Sequence, residues 1–278
     1  NWRRGTCAIC LDLLPVEAAR RTFYECCCKR ICRSCSDSCV QHDDRCPLCR
    51  TPPSKSAAEL VLRLRRHVDA GNAEAQVTLG DKYRQGDMGV QQDWPQAFKL
   101  YELAALQGNA RAQNAFAFCY DNGRGTPQIF RQAMKWYRKA ADQGYPQAQY
   151  NLGTMSYHGK GCEQSFHEAV RWLRLAAAQG HAEAIYCLGA CHQNGQGVLQ
   201  SDAEAQRLYE RAAGQGYANA AAAVKAVEAK QKRADAALLA VQRLRVRDAR
   251  RRADLKAKIG VGAVILVVGA LSWMICGY

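Results

Sequence analysis

Residues 145–180 read YPQAQYNLGTMSYHGKGCEQSFHEAVRWLRLAAAQG, and residues 181–216 read HAEAIYCLGACHQNGQGVLQSDAEAQRLYERAAGQG. Each carries an alanine at its fourth position, Leu-Gly at its eighth and ninth, a glycine pair in the middle, two alanines near the end and a closing glycine. The same plan extends upstream. Residues 109–144 read NARAQNAFAFCYDNGRGTPQIFRQAMKWYRKAADQG, and 72–108 read NAEAQVTLGDKYRQGDMGVQQDWPQAFKLYELAALQG. Units recurring every 36 or 37 residues indicate a solenoid, because one unit cannot bury its own apolar face and must stack on a neighbour.

Within each unit the pattern predicts two helices. The first carries the small residues and the Leu-Gly step. A loop follows, with Gly123/Gly125, Gly159/Gly161 and Gly195/Gly197; the first pair, Gly86/Gly89, is one residue wider. The second helix carries the aromatic and paired-alanine positions. Gly108, Gly144, Gly180 and Gly216 then close it, at the point where a left-handed backbone ends a helix without a side-chain clash. Segment 57–71 reads as a preceding second helix, and 217–224 as the start of a fifth unit.

Outside the units the composition changes. The whole chain has 278 residues, 48% hydrophobic and 23% charged, which excludes a wholly disordered polypeptide. It opens on Asn1 rather than Met, as a fragment would. Its net charge of +14 is not spread evenly. Residues 72–216 hold 14 basic and 13 acidic side chains, whereas 217–258 hold 12 and 4. A near-neutral repeat zone argues against nucleic acid as a partner. Nothing in it reads as catalytic, and Trp136, Trp172 and the tyrosines read as core. Cys187, Cys191 and His192 read as packing residues rather than metal ligands.

Ten of the 15 cysteines fall within the first 49 residues. They form Cys7-x-x-Cys10, the run Cys26-Cys27-Cys28, Cys32-x-x-Cys35 and Cys46-Pro47-Leu48-Cys49, with Cys39 spare. Cysteines three apart on a tight turn direct two thiolates at one tetrahedral centre, which is the spacing of a zinc knuckle rather than of a disulfide scaffold. About fifty residues bury too little core to fold unaided, and zinc supplies the missing stability.

Two family resemblances follow from these residues. Cys7-Ala-Ile-Cys-Leu-Asp12, Cys28-Lys-Arg-Ile-Cys-Arg-Ser-Cys35 and Cys46-Pro-Leu-Cys-Arg50 resemble a RING finger, over about residues 5–52. The resemblance implies two zinc ions in a cross-brace. Cys7, Cys10, Cys32 and Cys35 would hold the first. Cys46 and Cys49 would hold the second, with two of Cys26, Cys27 and Cys28. The usual histidine position, three before Cys32, is Lys29, which cannot coordinate while protonated. The family also implies a non-covalent ubiquitin-protein transferase. It would hold a ubiquitin-conjugating enzyme through Ile9, Pro47 and Leu48, with Arg50 as the linchpin to ubiquitin. The repeats resemble the Sel-one-like repeat (SLR), a relative of the tetratricopeptide repeat. This implies a mainly α solenoid that binds proteins on its concave face.

The tail, Ile259–Cys276, reads IGVGAVILVVGALSWMIC, 18 residues without a charge. At 1.5 Å per residue it spans about 27 Å, enough for a thin bilayer. Arg250, Arg251, Arg252, Lys256 and Lys258 flank one side only, which favours folded parts facing the cytosol. The expected organisation is therefore a RING finger over 1–53, a solenoid over 57–216, a basic juxtamembrane helix over 217–258 that touches anionic lipid, and a single transmembrane helix over 259–276. The endoplasmic reticulum and the mitochondrial outer membrane both fit. The expected function is a membrane-anchored ubiquitin ligase whose repeats select a substrate or adaptor. The other reading is a zinc-binding scaffold without ligase activity, for which the missing histidine speaks.

Overall fold

The computed structural model describes the backbone of residues 21–24, 29–32, 56–87 and 89–275, and side chains from 56 to 253 except Met88, together with that of Lys256. The chain divides into two units, residues 1–220 and 221–278. In the first, strands β1 (Arg21–Tyr24) and β2 (Lys29–Cys32) pair antiparallel, with Arg21 opposite Cys32 and Tyr24 opposite Lys29. Glu25-Cys26-Cys27-Cys28 is the segment that joins them.

Nine helices of thirteen residues follow among the described residues: α1 (Ala57–Asp69), α2 (Ala73–Gln85), α3 (Trp94–Leu106), α4 (Ala110–Asn122), α5 (Phe130–Asp142), α6 (Pro146–His158), α7 (Phe166–Ala178), α8 (Ala182–Asn194) and α9 (Asp202–Gly214). Helices α2, α4, α6 and α8 are the first helices of four units, and α3, α5, α7 and α9 the second. Polar side chains start most of them. Asn72 and Asn109 accept from the amides of Ala75 and Ala112 at 3.0 Å, and Asp93, Ser165 and Ser201 do the same for α3, α7 and α9. Left-handed glycines stop the first helices at Gly86, Gly123, Gly159 and Gly195.

Small residues set the helix spacing. Ala75, Ala112, Ala148 and Ala184 on the first helices are fully buried, as are Ala97, Ala133, Ala169 and Ala205 on the second. At the glycine of the Leu-Gly step the partner helix closes in further. A Cβ on Gly80 would stand 2.8 Å from Tyr101 Cε1, and one on Gly189 2.8 Å from Tyr209 Cε1. Unit two has Ala117 at this position, buried with Tyr137 in one cluster. Phe116, Tyr101, Tyr137, Tyr209 and Trp172 are the large buried rings, so these aromatic positions are core. Trp136 is only half-buried, with Lys139 Nζ 3.8 Å above its ring.

The ends depart from expectation in one respect. The basic segment and the apolar tail were expected as two helices, 217–258 and 259–276. They are one unbroken helix, α10 (Ala220–Ile275), about 84 Å long at 1.5 Å per residue. It starts three residues late because Tyr217–Asn219 form the connecting turn, where the Ala220 amide donates to Tyr217 O at 3.1 Å. Gly260 and Gly262 do not interrupt it, since one glycine costs a helix only about 1 kcal/mol. Ala220 is fully buried in the cluster of Ala184 and Ala212, the place its counterparts take in each of the four units. Helix α10 has no glycine stop, because the corresponding position is Gln231. Among the described residues no helix is long and apolar enough to cross a membrane, and the side chains of 259–276 lie outside them.

Candidate protein-binding surface of the repeats

Glutamines hold successive units in register. Gln113 is buried; its amide donates to Ala105 O at 3.2 Å, and its oxygen accepts from Gln143 at 2.7 Å. Gln149 repeats this with Ala141 O at 3.2 Å and Gln179 at 2.8 Å. Gln76 accepts from Gln107 at 2.8 Å. Unit four has Ile185 at the position of Gln149, and a buried carbonyl there would lose its partner. Arg211 replaces the glutamine by donating to Ala177 O at 2.6 Å. A second set closes the loops: Gln92, Gln128, Gln164 and Gln200 donate to the carbonyls of Arg84, Asp121, Tyr157 and Gln193 at 2.6 to 2.9 Å. Sequence reasoning missed both sets. Their recurrence at the repeat period was visible, but a side chain that binds backbone leaves no charge or apolar signature.

The first-helix face is a polar strip with aromatic residues at one end. Arg111 pairs with Asp81 and lies 3.9 Å from Glu74. Tyr101 donates to Asp81 at 2.8 Å, and Asn151 to Asn114 at 3.1 Å. Toward unit four, Tyr150 stacks on His181 with centroids 4.9 Å apart, and Tyr186 meets Tyr217 at 5.0 Å. His181 Nδ1 accepts from the Ala184 amide at 3.3 Å, so the proton lies on Nε2, which faces Gln147 Oε1 at 3.0 Å. Burial lowers the His181 pKa, against a smaller opposing pull from Glu183. These half-exposed rings and amides form a surface of the mixed apolar and polar kind that polypeptides cover.

Cys162 is exposed, and the other three described thiols of this region are buried or half-buried. Burial pushes Cys119 up to about 12 and Cys191 to about 11, and raises Cys187, so all three stay protonated at neutral pH. Among the described residues no group of three His, Cys, Asp or Glu could hold a metal ion. Cys7, Cys10, Cys26, Cys27, Cys28, Cys35, Cys46 and Cys49 lie outside the described residues, as do Ile9, Pro47, Leu48 and Arg50. Cys32 is placed only by its backbone, at the end of β2.

One groove opens at the first loop. Gly125, Gly161 and Gly197 seat against the backbone carbonyls of Trp94, Phe130 and Phe166, the first residues of the preceding second helices. The wider first loop does not close in this way, and a Cβ on Gly89 would meet nothing within 4 Å. A groove of about 870 Å³ is left, lined by Val61, Leu62 and Arg65 of α1 and by Tyr83 and Val90.

Comparison with known proteins gives the repeats a family. The Sel1 repeat model matches residues 73–109, 110–145, 146–181 and 182–217, more than half of the chain and one residue later than the sequence division. No curated protein matches the chain. A solved protective antigen of uropathogenic Escherichia coli displaying an SLR fold is 38% identical over 58% of this chain, with a TM-score of 0.55. A Sel1 repeat protein from Oxalobacter formigenes is 31% identical over 58%, also with a TM-score of 0.55. This chain covers 34% of the first and 64% of the second, less than two thirds of either. With its four units of paired helices matched one by one, the chain belongs to the Sel1 repeat family.

Proposed function

We propose that this Sel1-repeat interaction scaffold is also a membrane-anchored RING-type ubiquitin ligase. The observation that carries the reading is the order of three Cys-x-x-Cys pairs in residues 7–49, with Arg50 directly after the last. The donor set fits zinc: nine soft thiolate candidates and no carboxylate among them. The β1–β2 pairing supports the fit, because Cys26, Cys27 and Cys28 occupy the segment joining the strands and Cys32 ends the second. Bound zinc supplies the folding free energy of the head and takes no part in transfer chemistry.

The chain's own residues would then act by orientation. Ile9, Pro47 and Leu48 give the conjugating enzyme an apolar seat, and Arg50 reaches two acceptors at once with its planar fork. Restricting the mobile ubiquitin raises the fraction poised for attack by a lysine. The repeats hold the substrate or adaptor, and residues 259–276 anchor the chain with both folded parts in the cytosol.

Autoubiquitination by the full chain in detergent tests the reading, beside Arg50→Ala and Cys46→Ser. Loss in both variants supports a ligase that uses Arg50. Loss in Cys46→Ser alone keeps the ligase and removes the role of Arg50. Lys29, standing where the usual histidine would be, favours a second reading, a zinc-binding scaffold without transfer activity. No activity in any form, with two zinc ions bound per chain, would select it.

A further inference from the structure

The near-neutral charge of the repeats conceals a segregation. Residues 124–174 carry eight basic and three acidic side chains, whereas 72–123 carry four and six, and 175–216 two and four. The positive centre lies on the second helices of units two and three. On α5, Arg131, Lys135, Arg138 and Lys139 recur at spacings of three and four and share one exposed face. On α7, Arg171 and Arg174 occupy the positions equivalent to Lys135 and Arg138 and are also exposed. Arg138 Nη2 donates to Glu168 Oε1 at 3.0 Å, so the two basic faces adjoin. Arg138 nonetheless keeps half its side chain in solvent.

We infer that this α5–α7 face binds an acidic polypeptide segment. Arg131, Lys135 and Lys139 step along α5 by about 6 Å, close to the ~6.6 Å between side chains on one face of an extended strand. An extended chain with alternating Asp or Glu would meet each cation in turn, with Arg171 and Arg174 flanking it. The aromatic residues here argue against single-stranded nucleic acid. Lys139 covers the ring of Trp136 at 3.8 Å and Arg171 lies 5.2 Å over that of Trp172, which is itself buried, so no bare ring face waits for a base. Among the described residues of this face, the same covered tryptophans are not free to enter a lipid interface. The inference does not depend on ligase activity, only on the geometry of the array.

The test uses the full chain in detergent and a fluorescein-labelled 20-residue polyglutamate, read by anisotropy at about 150 mM salt. We expect saturable binding that weakens as salt rises. Reversing Arg131, Lys135, Lys139 and Arg174 to Glu should weaken it at least tenfold, about 1.4 kcal/mol. Reversing Arg243, Arg245, Arg247 and Arg250 on α10 should change it less than threefold. The helical circular dichroism should be unaltered in both variants, and Lys135→Gln with Lys139→Gln gives a milder loss without reversal. Equal losses in the two reversed variants would reduce the effect to net charge and overturn the inference. So would binding to phosphatidylserine vesicles or polyuridylate that needs the α5–α7 cations while polyglutamate binding does not.

Discussion

The carbonyl oxygen of Phe166 lies 2.4 Å from where a Cβ on Gly197 would stand. The backbone there also has φ +70°, so glycine is required twice over. Gly125 repeats the contact, its Cβ position 2.5 Å from Trp94 O. Gly89 shares the positive φ but faces open space. We therefore expect Gly197→Ala and Gly125→Ala to destabilise the array by about 2–4 kcal/mol, strain and backbone clash together. Gly89→Ala should cost only about 1 kcal/mol, the left-handed penalty alone. Urea unfolding followed by circular dichroism compares the three, and equal losses would contradict the seating of these loops on the preceding helix.

The glutamine ladder makes a second expectation. Gln149 is buried between Ala141 O and Gln179. Gln149→Ala removes both bonds and leaves a carbonyl and an amide to be desolvated, a loss of about 2–3 kcal/mol. Gln179→Ala alone should cost about 1–2 kcal/mol, because Gln179 is half-buried and its loss leaves Gln149 its bond to Ala141 while Gln149 Oε1 loses its donor. A double-mutant cycle should return a coupling of about 1 kcal/mol between them. Additive losses would mean that the 2.8 Å contact contributes nothing.

Most of the array was legible in the sequence, because Gly, Ala and aromatic residues at a fixed period report backbone and packing requirements directly. Gly108 and Gly144 were assigned to the helix ends from spacing, and both adopt φ +83°. Side chains that bind backbone were not legible. Ile185 and Arg211 look unrelated in the sequence, yet Arg211 serves the carbonyl that Ile185 cannot. The charge of the α5–α7 face was hidden for another reason: a sum over 72–216 averages a positive centre with two negative flanks. The tail was divided at residue 258 by composition, but composition alters a helix's surroundings without ending it, and α10 runs through that change. The thiols expected to bind zinc lie outside the described residues, so that site still rests on spacing.

His181 predicts a pH dependence. It caps α8 as a neutral imidazole and its folded pKa is lowered by burial. The unfolded chain then takes up the proton first as pH falls below the usual histidine value of about 6.5. Its contribution is complete above that value and is lost as pH falls toward the folded pKa. The Glu183 carboxylate, 3.3 Å from Nδ1, opposes the shift and limits its size. Asn72 and Asn109 fill the same capping position in units one and two. We expect His181→Asn to hold stability within about 1 kcal/mol at pH 7.5 and to flatten the slope between pH 7 and 5. An unchanged slope would assign the pH dependence to other groups.

The three cysteines between β1 and β2 give the most direct test of the proposed head. The second zinc ion needs two thiolates from Cys26, Cys27 and Cys28, which leaves one of the three free. A serine hydroxyl is far too weak an acid to replace a thiolate ligand at neutral pH. Of Cys26→Ser, Cys27→Ser and Cys28→Ser, one variant should therefore keep two zinc ions per chain and two should drop to about one. Metal content of the full chain purified in detergent, measured by elemental mass spectrometry, reads this without any assay of activity. The repeats provide an internal control, because their helical signal should be unchanged in all three. Retention of two zinc ions in every single variant and also in the triple Cys26→Ser, Cys27→Ser, Cys28→Ser variant would remove the run from the ligand set, whereas loss in the triple variant alone would mean that the spare thiol replaces the missing ligand. Loss in every variant would show that the third thiol also matters, as a ligand or as a hydrogen-bonding partner of the bound thiolates.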